Sequence, residues 1–292
     1  MAIFVKCKGK DQNKRNTGAK EQCIEGVMIR TAVAIPGFQF DSRDDAEDLD
    51  KWNAAVAAKQ IFPLYEAEEV TTANTEPTYF EGRRQQYLTS NGKKITTFTS
   101  ILGLCSHFAL TSFGDTPLQL FEFTEDGAIK GVNTTDGGVK GQSVKLNVGP
   151  RLDATADRPP STLVTINYLD SSEFEQNGWI GRPEWRDSEL FGIFDVTLTQ
   201  VSASATVIKL TAGVGCAGGD ELVETFVLAN FVVRNLTGVI QTVTFTAPDS
   251  EGVYTLTGTG FADGYTVELL GVVTVGGLSY ETPETLILEV TP

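Results

Sequence analysis

The chain has 292 residues, of which 41% are hydrophobic, and carries a formal net charge of −15. This negative charge argues against a protein that wraps nucleic acid, because such proteins use Lys and Arg to displace the counterions of phosphate. The length suggests two domains or one large all-β unit, and abundant Thr, Val and Gly predict a mainly β fold.

The first 20 residues reverse the charge of the rest of the chain. A short apolar strand is predicted over 2–5, and a basic stretch follows it with Lys6, Lys8, Lys10, Lys14, Arg15 and Lys20. Two interpretations are open: a solvated arm, or an arm that docks on an acidic neighbour such as another copy of the chain. The segment lacks the apolar stretch of a signal peptide, so we expect the protein to be made and kept in the cytoplasm, or to leave by a route that needs no signal.

The four cysteines are Cys7, Cys23, Cys105 and Cys216. Their spacing matches neither a CxxC pair nor a zinc knuckle. Four cysteines in a chain of this length are too few for a disulfide scaffold, so free thiols are the favoured interpretation.

A strand is predicted over 23–34, and residues 41–60 are the one segment with clear helical periodicity. Asp41 or Ser42 can cap this helix. Its apolar stripe contains Leu49, Trp52 and Val56 at helical spacing, and Asn53 lies on the same side. The acids Asp44, Asp45, Glu47 and Asp48 fall in the first turns, where the helix dipole favours them. A calcium loop would need a turn glycine, so a metal site is disfavoured.

Residues 61–78 are predicted to form a strand and a loop. They carry Glu66, Glu68, Glu69 and Glu76 and no basic residue. With Asp44 and Asp45, these acids form a candidate negative patch that a basic arm of a neighbouring copy could contact.

Residues 79–110 are predicted to form a long hairpin with Asn91-Gly92 at its tip, because Asn-Gly suits the positive φ angles of a type I′ turn. The candidate assembly residues are Arg83, Arg84, Tyr87, Asn91, Gly92, Lys93 and Lys94. Neither arm is apolar enough for burial on both faces. We therefore expect the hairpin to lie against water and its own domain, or against a copy of itself in a ring.

Further strands are predicted at 118–122, 128–133, 143–148 and 163–168, followed by an irregular aromatic loop at 171–186. Trp179 and Trp185 lie in this loop. The pair is either an exposed contact surface or a cover over a domain edge, and the pattern favours neither.

The sequence changes near residue 190, which predicts a domain boundary between 1–190 and 191–292. The second part contains short strands at regular spacing, as in an immunoglobulin-like sandwich, although the Cys-Trp-Cys spacing of antibody domains is absent. The predicted strands are 194–200, 204–211, 222–226, 229–235, 238–246, 252–259, 265–272 and 285–290. The turn 249–251 followed by Tyr254 resembles bacterial and phage immunoglobulin-like modules.

The sequence predicts no enzyme, cofactor or metal. His107 is the one histidine, and apolar residues surround it. In the strand that we predict here, Cys105 and His107 would point to the same face, but a core histidine is favoured over a catalytic one. One histidine and four scattered cysteines also provide no tetrahedral metal set.

The order of these features resembles virion proteins of tailed bacteriophages, especially the tail-tube-like and ring proteins of crAss-like and other Bacteroides phages. The resemblance lies in helix 41–60, the acidic loop 66–76, the block from Glu81 to His107, residues 126–131 and the C-terminal immunoglobulin-like module. It implies a β-sandwich or rolled sheet with one packed helix, and a long hairpin that builds a ring with neighbouring copies.

The resemblance also implies a function without catalysis. Rings of six or twelve copies would form part of the tail or neck channel for DNA, alongside other tail and portal proteins, with no membrane partner. DNA would pass without specific binding, and an acidic wall suits such passage. Two alternatives stay open: a head-decoration or fibre-like virion protein, and a carbohydrate-binding or hydrolytic β-protein that uses Trp179 and Trp185 for stacking.

Overall fold

The computed structural model describes residues 7–8, 25–215 and 221–290. The chain divides into two compact units, the first ending at Leu190 and the second beginning at Phe191. Strands are the main element of both, which confirms the predicted mainly β fold. The strand predicted over 2–5 and most of the basic stretch lie outside the described residues. Among those residues, no helix is long and apolar enough to cross a membrane.

The strands of the first unit are β1 (Cys7–Lys8), β2 (Met28–Ala34), β3 (Ile61–Glu66), β4 (Glu69–Thr72), β5 (Thr78–Glu81), β6 (Gln86–Ser90), β7 (Ile95–Ile101), β8 (Pro117–Thr124), β9 (Ile129–Asn133), β10 (Val139–Lys140), β11 (Gln142–Leu152), β12 (Ser161–Tyr168) and β13 (Gly178–Gly181). The helices are α1 (Leu49–Ala57), α2 (Leu104–Thr111) and α3 (Glu173–Asn177), and 3-10 turns span Asp45–Glu47 and Asp187–Glu189.

The main sheet of the first unit rolls up and closes on itself. Antiparallel pairing runs from β8 to β2, from β2 to β3, from β4 to β7, and then through β12 and β11 back to β8. The closure is made where the chain passes from β3 to β4. Here the Ala67 N–H donates to the Ile29 carbonyl (2.7 Å), and the Glu68 N–H donates to the Thr99 carbonyl (2.8 Å). The continuous segment β3–β4 therefore pairs first with β2 and then with β7, and this change of partner closes the sheet into a barrel.

The inside of this barrel is the main apolar core of the first unit. Along β12, Val164 and Ile166 are buried, while Leu163 before them is exposed and Thr165 between them is half-buried, the alternation expected of a strand with one covered face. Other core residues include Met28, Val33, Leu64, Phe98, Leu118, Leu120, Val144 and Leu146. Helix α2 adds Leu110 to the same core. The prediction that the hairpin strand continues to residue 110 is therefore wrong, because 104–111 is helical.

Helix α1 packs on the outer side of the barrel. Trp52 is fully buried against Phe121 and Phe123 of β8, and its indole N–H donates to the Ala46 carbonyl at 2.9 Å. The predicted helix 41–60 is shorter in the structure. Asp48 has an extended backbone and its side chain accepts from the Asp50 N–H at 3.0 Å, so the helix starts anew after it.

The strands of the second unit are β14 (Ile193–Ala203), β15 (Val207–Val214), β16 (Glu221–Leu222), β17 (Phe231–Arg234), β18 (Thr244–Thr246), β19 (Tyr254–Thr257), β20 (Thr266–Leu269), β21 (Val273–Val275), β22 (Leu278–Glu281) and β23 (Leu286–Ile287). A 3-10 turn spans Leu228–Asn230. One sheet has the order β18-β19-β15-β14-β22-β21, with β16 beside β15, and the other has the order β17-β20-β23. Both sheets contribute to one apolar core. Strands β21 and β22, joined at Gly276-Gly277, were not predicted.

Tyr254 is the central polar residue of this second core. Its side chain is fully buried, and its hydroxyl donates to the Val223 carbonyl (2.6 Å) and accepts from the Phe226 N–H (3.1 Å). Burial raises the pKa of Tyr254 to about 12. The hydroxyl therefore satisfies two backbone groups that would otherwise lie buried without partners.

We expect Tyr254→Phe to lower the free energy of unfolding by about 1–3 kcal/mol at neutral pH, because it leaves two backbone groups unpaired. Since the folded pKa is raised, the contribution of the protonated phenol is complete below pH ~10 and is lost as the pH rises toward 12. Urea unfolding at pH 7 to 11 measures both the loss of stability at neutral pH and its change in alkali. The variant should lose less stability in alkali than the wild type, whereas Tyr265→Phe, at a half-buried tyrosine, should behave as wild type.

Candidate functional site

A long two-stranded ribbon extends from the barrel between β4 and β7. The β4–β7 pairing continues beyond the barrel, because the Ala73 N–H donates to the Ile95 carbonyl and the Thr75 N–H to the Lys93 carbonyl, both at 2.9 Å. It then passes into the β5–β6 pair and ends in a turn where the Gly82 N–H donates to the Gln85 carbonyl at 2.9 Å. We call residues 73–94 the assembly arm, after the role that the sequence predicts for this hairpin.

The predicted hairpin therefore exists, but its bounds and its tip were wrong. The first strand segment of the hairpin starts at Glu69 rather than at Tyr79. The tip is the turn 82–85 rather than Asn91-Gly92. Gly92 does have a positive φ of 82°. It uses this conformation at the base of the arm, where a Cβ atom would collide with the Thr75 carbonyl oxygen. The Asn-Gly motif indicated the correct backbone angle at Gly92 but the wrong position for the turn.

The outer half of the assembly arm exposes large apolar side chains on both of its faces. Tyr79 lies opposite Leu88 and Phe80 lies opposite Tyr87, so each cross-strand pair occupies one face. Their exposed fractions are 55% for Tyr79, 54% for Leu88, 62% for Phe80 and 52% for Tyr87. A lone two-stranded hairpin is at best marginally stable in water. Burial of these apolar side chains would stabilise the arm, but within one copy of the chain they remain exposed.

Polar pairs run alongside these apolar ones. The hydroxyls of Thr71 and Thr97 lie 2.5 Å apart, those of Thr78 and Thr89 lie 3.1 Å apart, and the Gln86 amide donates to Glu81 at 3.0 Å. Such cross-strand pairs fix the register of the ribbon. Arg83 and Arg84 occupy the turn and are exposed, so the tip carries two positive charges.

Lys94 ends the arm and enters a buried polar network in the barrel. Its ammonium lies 4.0 Å from the centre of the Tyr168 ring and 3.4 Å from the Gln142 side-chain oxygen. The Tyr168 hydroxyl donates to Glu122 at 2.5 Å, and the Gln142 amide donates to Glu122 at 3.2 Å. Glu122 also pairs with Lys130 at 2.8 Å. The base of the arm is thereby joined to barrel strands β8, β11 and β12.

Burial and charge act in opposite directions on the pKa values of this network. Burial lowers the pKa of Lys94, and the Glu122 carboxylate offsets only part of this effect. Burial alone would raise the pKa of Glu122, but Lys130 and Lys94 hold it below its usual value. For Lys130, burial is outweighed by Glu122 and Glu25, which raise the pKa. Glu122 is therefore a buried carboxylate held ionised by its lysine partners.

The other predicted contact residues have separate locations. The side chains of the basic stretch, Lys6, Lys8, Lys10, Lys14, Arg15 and Lys20, lie outside the described residues, so their pairing with acids stays a prediction. Asp44 and Asp45 lie in the segment before α1, where Asp45 bonds to Ser42 and pairs with Lys51. Glu66, Glu68 and Glu69 lie where β3 passes into β4 and are all exposed.

The two predicted contact tryptophans are not available for contact in the way expected. Trp179 is only 2% exposed and lies in β13, which pairs with β9. Trp185 is half-buried, donates to the Glu47 carbonyl at 2.8 Å, and lies against Trp52 and Phe123. Neither forms an open stacking platform, so the prediction that these two tryptophans stack on a carbohydrate is wrong. The segment 171–186 is also not a loop, because it contains α3 and β13.

His107 and Cys105 lie in helix α2 rather than in a strand. Residues two apart in a helix do not share a face, so the expectation that these two side chains point the same way is wrong. His107 Nδ1 is 3.0 Å from the Thr162 hydroxyl. Cys105 is disulfide-bonded, so the expectation of free thiols is wrong for this cysteine. Within the described residues, no group of three or more His, Cys, Asp or Glu side chains is placed to hold a metal ion.

We expect Glu122→Gln to lower the free energy of unfolding by about 3–5 kcal/mol at pH 7, because it removes one partner of a buried ion pair. The folded pKa of Glu122 is depressed, so its contribution is present above pH ~4.3 and is lost as the pH falls through the folded pKa. Urea unfolding at pH 3 to 7 should show a weaker acid dependence in the variant. Asp115→Asn, at the exposed Lys145–Asp115 pair, should cost at most about 1 kcal/mol.

We expect Gly92→Ala to loosen the base of the assembly arm by about 1–3 kcal/mol, because alanine is strained at this φ and its Cβ meets the Thr75 carbonyl. Amide hydrogen exchange at Thr75 and Lys93 measures the effect. Gly103→Ala is the matched control, since Gly103 has a φ of −68° and open space around it. Equal protection in both variants would contradict a strained position at Gly92.

A scan against protein-family models finds none that matches this chain, and a search of the curated proteins finds no matching relative.

Proposed function

We propose that this chain is a structural virion protein of the tail-tube or connector-ring type, which assembles with copies of itself and has no catalytic role. The observation that carries the proposal is the assembly arm. It is held in register by cross-strand pairs and anchored in a buried network, yet it exposes Tyr79, Phe80, Tyr87 and Leu88. Exposed apolar surface of this kind marks an interaction site.

The remaining architecture supports the same proposal. A rolled sheet with a helix packed outside and a projecting arm are the parts that the resemblance to tail-tube-like proteins implies, whereas the second β unit is more than a minimal tube protein needs. The formal net charge of −15 suits a channel wall past which DNA slides, because like charge repels the phosphates. On this proposal the protein is located in the virion and its partners are its own copies and other tail or portal proteins.

The second unit supports a second candidate, a head-decoration or fibre-like role. We propose that it is an immunoglobulin-like module, since its two sheets share one core. A loop after β17 exposes Leu236 (71%), Val239 (58%) and Ile240 (58%). In a decoration protein, this loop rather than the assembly arm would make the contact.

Shortening the arm tests which candidate is correct. Thr78 and Ser90 are cross-strand partners. Replacing residues 79–89 with Asn-Gly connects these two residues by a two-residue turn and removes the outer part of the arm. We expect this variant to fold with an unchanged melting temperature and to remain monomeric where the wild type forms rings or tubes. Sedimentation velocity and negative-stain electron microscopy measure assembly.

The matched control replaces Leu236, Val239 and Ile240 with serine, which removes exposed apolar side chains from the second unit instead. It should assemble as the wild type does. Assembly that survives the shortened arm but not the loop variant would favour the second candidate and contradict the first.

A further inference from the structure

We infer that the tip of the assembly arm of one copy docks on the opposite end of the barrel of the next copy, on a surface built around Ile101, Leu104, Phe108 and Leu163. We call these four residues the receiving patch. The inference rests on the proposed self-assembly and names the surface that the arm contacts. It commits to a second copy of this chain as the occupant.

The two surfaces lie at opposite ends of the same pair of strands. Strands β4 and β7 run antiparallel, and the arm continues from the end where β4 finishes and β7 begins. The receiving patch starts at the other end, where Ile101 closes β7 beyond the Glu69–Thr99 pair. From Glu69 of this pair to Glu81 beside the tip, twelve residue steps of extended chain span about 40 Å.

The receiving patch is apolar and open. Leu163 lies opposite Thr99, and Ile101 is two residues further along β7, so both point to the outside of the barrel. Their exposed fractions are 43% and 52%. Leu104 and Phe108 follow in α2, one helical turn apart, and are 54% and 62% exposed. Leu110 of the same helix is buried in the core, so α2 presents apolar residues both inward and outward.

Charge indicates what covers this patch. The exposed Glu69 carboxylate borders it, because this side chain shares the outer face of the sheet with Ile101. The exposed residues Glu66 and Glu68 lie beside the same end of β7, where their backbone bonds to Ser100 and Thr99. Arg158 pairs with Glu69 at 3.4 Å, but both side chains are largely exposed and such a pair contributes little. The arm tip has the complementary combination: apolar residues beside Arg83 and Arg84. Complementary potentials of this kind fix partner and orientation.

The placement also determines the type of assembly. A contact between two different surfaces is heterologous, and it generates a ring or an open filament rather than a closed dimer. Because the two surfaces lie at opposite ends of one ribbon, each docked copy extends the assembly along the ribbon direction. We therefore expect this contact to join copies head to tail, in a ring or an open filament.

A charge-reversal experiment on the full chain tests the inference. The tip variant is Arg83→Glu with Arg84→Glu, and the patch variant is Glu68→Arg with Glu69→Arg. Each alone should raise the protein concentration at half-assembly by at least about tenfold, because like charges then face each other. An equimolar mixture should recover assembly with alternating copies, since each reversed tip meets a patch of opposite charge. Sedimentation velocity measures size, and native mass spectrometry measures the alternation.

Two further variants keep the result unambiguous. Glu251→Arg with Glu284→Arg changes the net charge by the same amount as the patch variant does, but at exposed sites of the second unit. This variant should assemble as the wild type does. Leu104→Ser with Phe108→Ser removes exposed side chains only, so it should fold normally and block assembly without any charge change.

The outcomes separate the inference from the proposed function. Normal assembly of the patch variant and of the Leu104/Phe108 variant, together with a monomeric shortened arm, would overturn the receiving patch and leave the assembly arm intact. Unchanged assembly of the shortened arm would overturn both. A mixture that stays unassembled although each variant folds would show that these two ends do not meet.

Discussion

The hydrogen bonds at Ala67 and Glu68 are the constraint on which the first unit depends. At this point the chain stops pairing with β2 and starts pairing with β7, so a sheet that could have stayed open closes into a barrel. Closure removes the two free edges that an open sheet would leave at β3 and at β4. It also makes β4 and β7 barrel strands that continue outward as the assembly arm, so the arm takes its direction from the barrel.

The buried network at the base of the arm serves geometry more than stability. An ion pair such as Glu122–Lys130 could be replaced by apolar residues without loss of stability, because burying two charges costs nearly what their attraction returns. An apolar contact, however, would tolerate several orientations of the strand that follows Lys94. A carboxylate that bonds to Tyr168, Gln142 and Lys130 has one arrangement that satisfies all its partners. The network thus fixes where the arm leaves the barrel.

Sequence reasoning could predict the mainly β fold, the hairpin and the apolar stripe of α1, because these follow from local spacing. It could not place the hairpin tip, since Gly82–Gln85 has no strong turn motif and Asn91-Gly92 has one. It also misjudged Trp179, whose burial depends on pairing with β9, far away in the sequence. The members of the buried network lie far apart in the chain: Tyr168 is 46 residues from Glu122, and Gln142 is 48 residues from Lys94. The local pattern therefore does not distinguish Glu122 and Lys94 from surface charges. The pairs Tyr79–Leu88 and Phe80–Tyr87 were missed too, although their symmetric spacing about Gly82–Gln85 could have indicated the true turn.

The position of charge on the arm follows from its apolar surface. A hairpin with free edges and aromatic residues on both faces is an aggregation hazard in the free chain. Two arginines at the turn keep such hairpins apart, because docking tip to tip would bring four positive charges together. Because the chain has a net charge of −15, most of the surface of another copy attracts the positive tip. This general attraction is weak, because salt screens exposed charges at long range. A patch that combines carboxylates with apolar side chains satisfies both features of the tip at once. In the docking that we propose, the same two residues limit non-specific pairing and favour one partner surface.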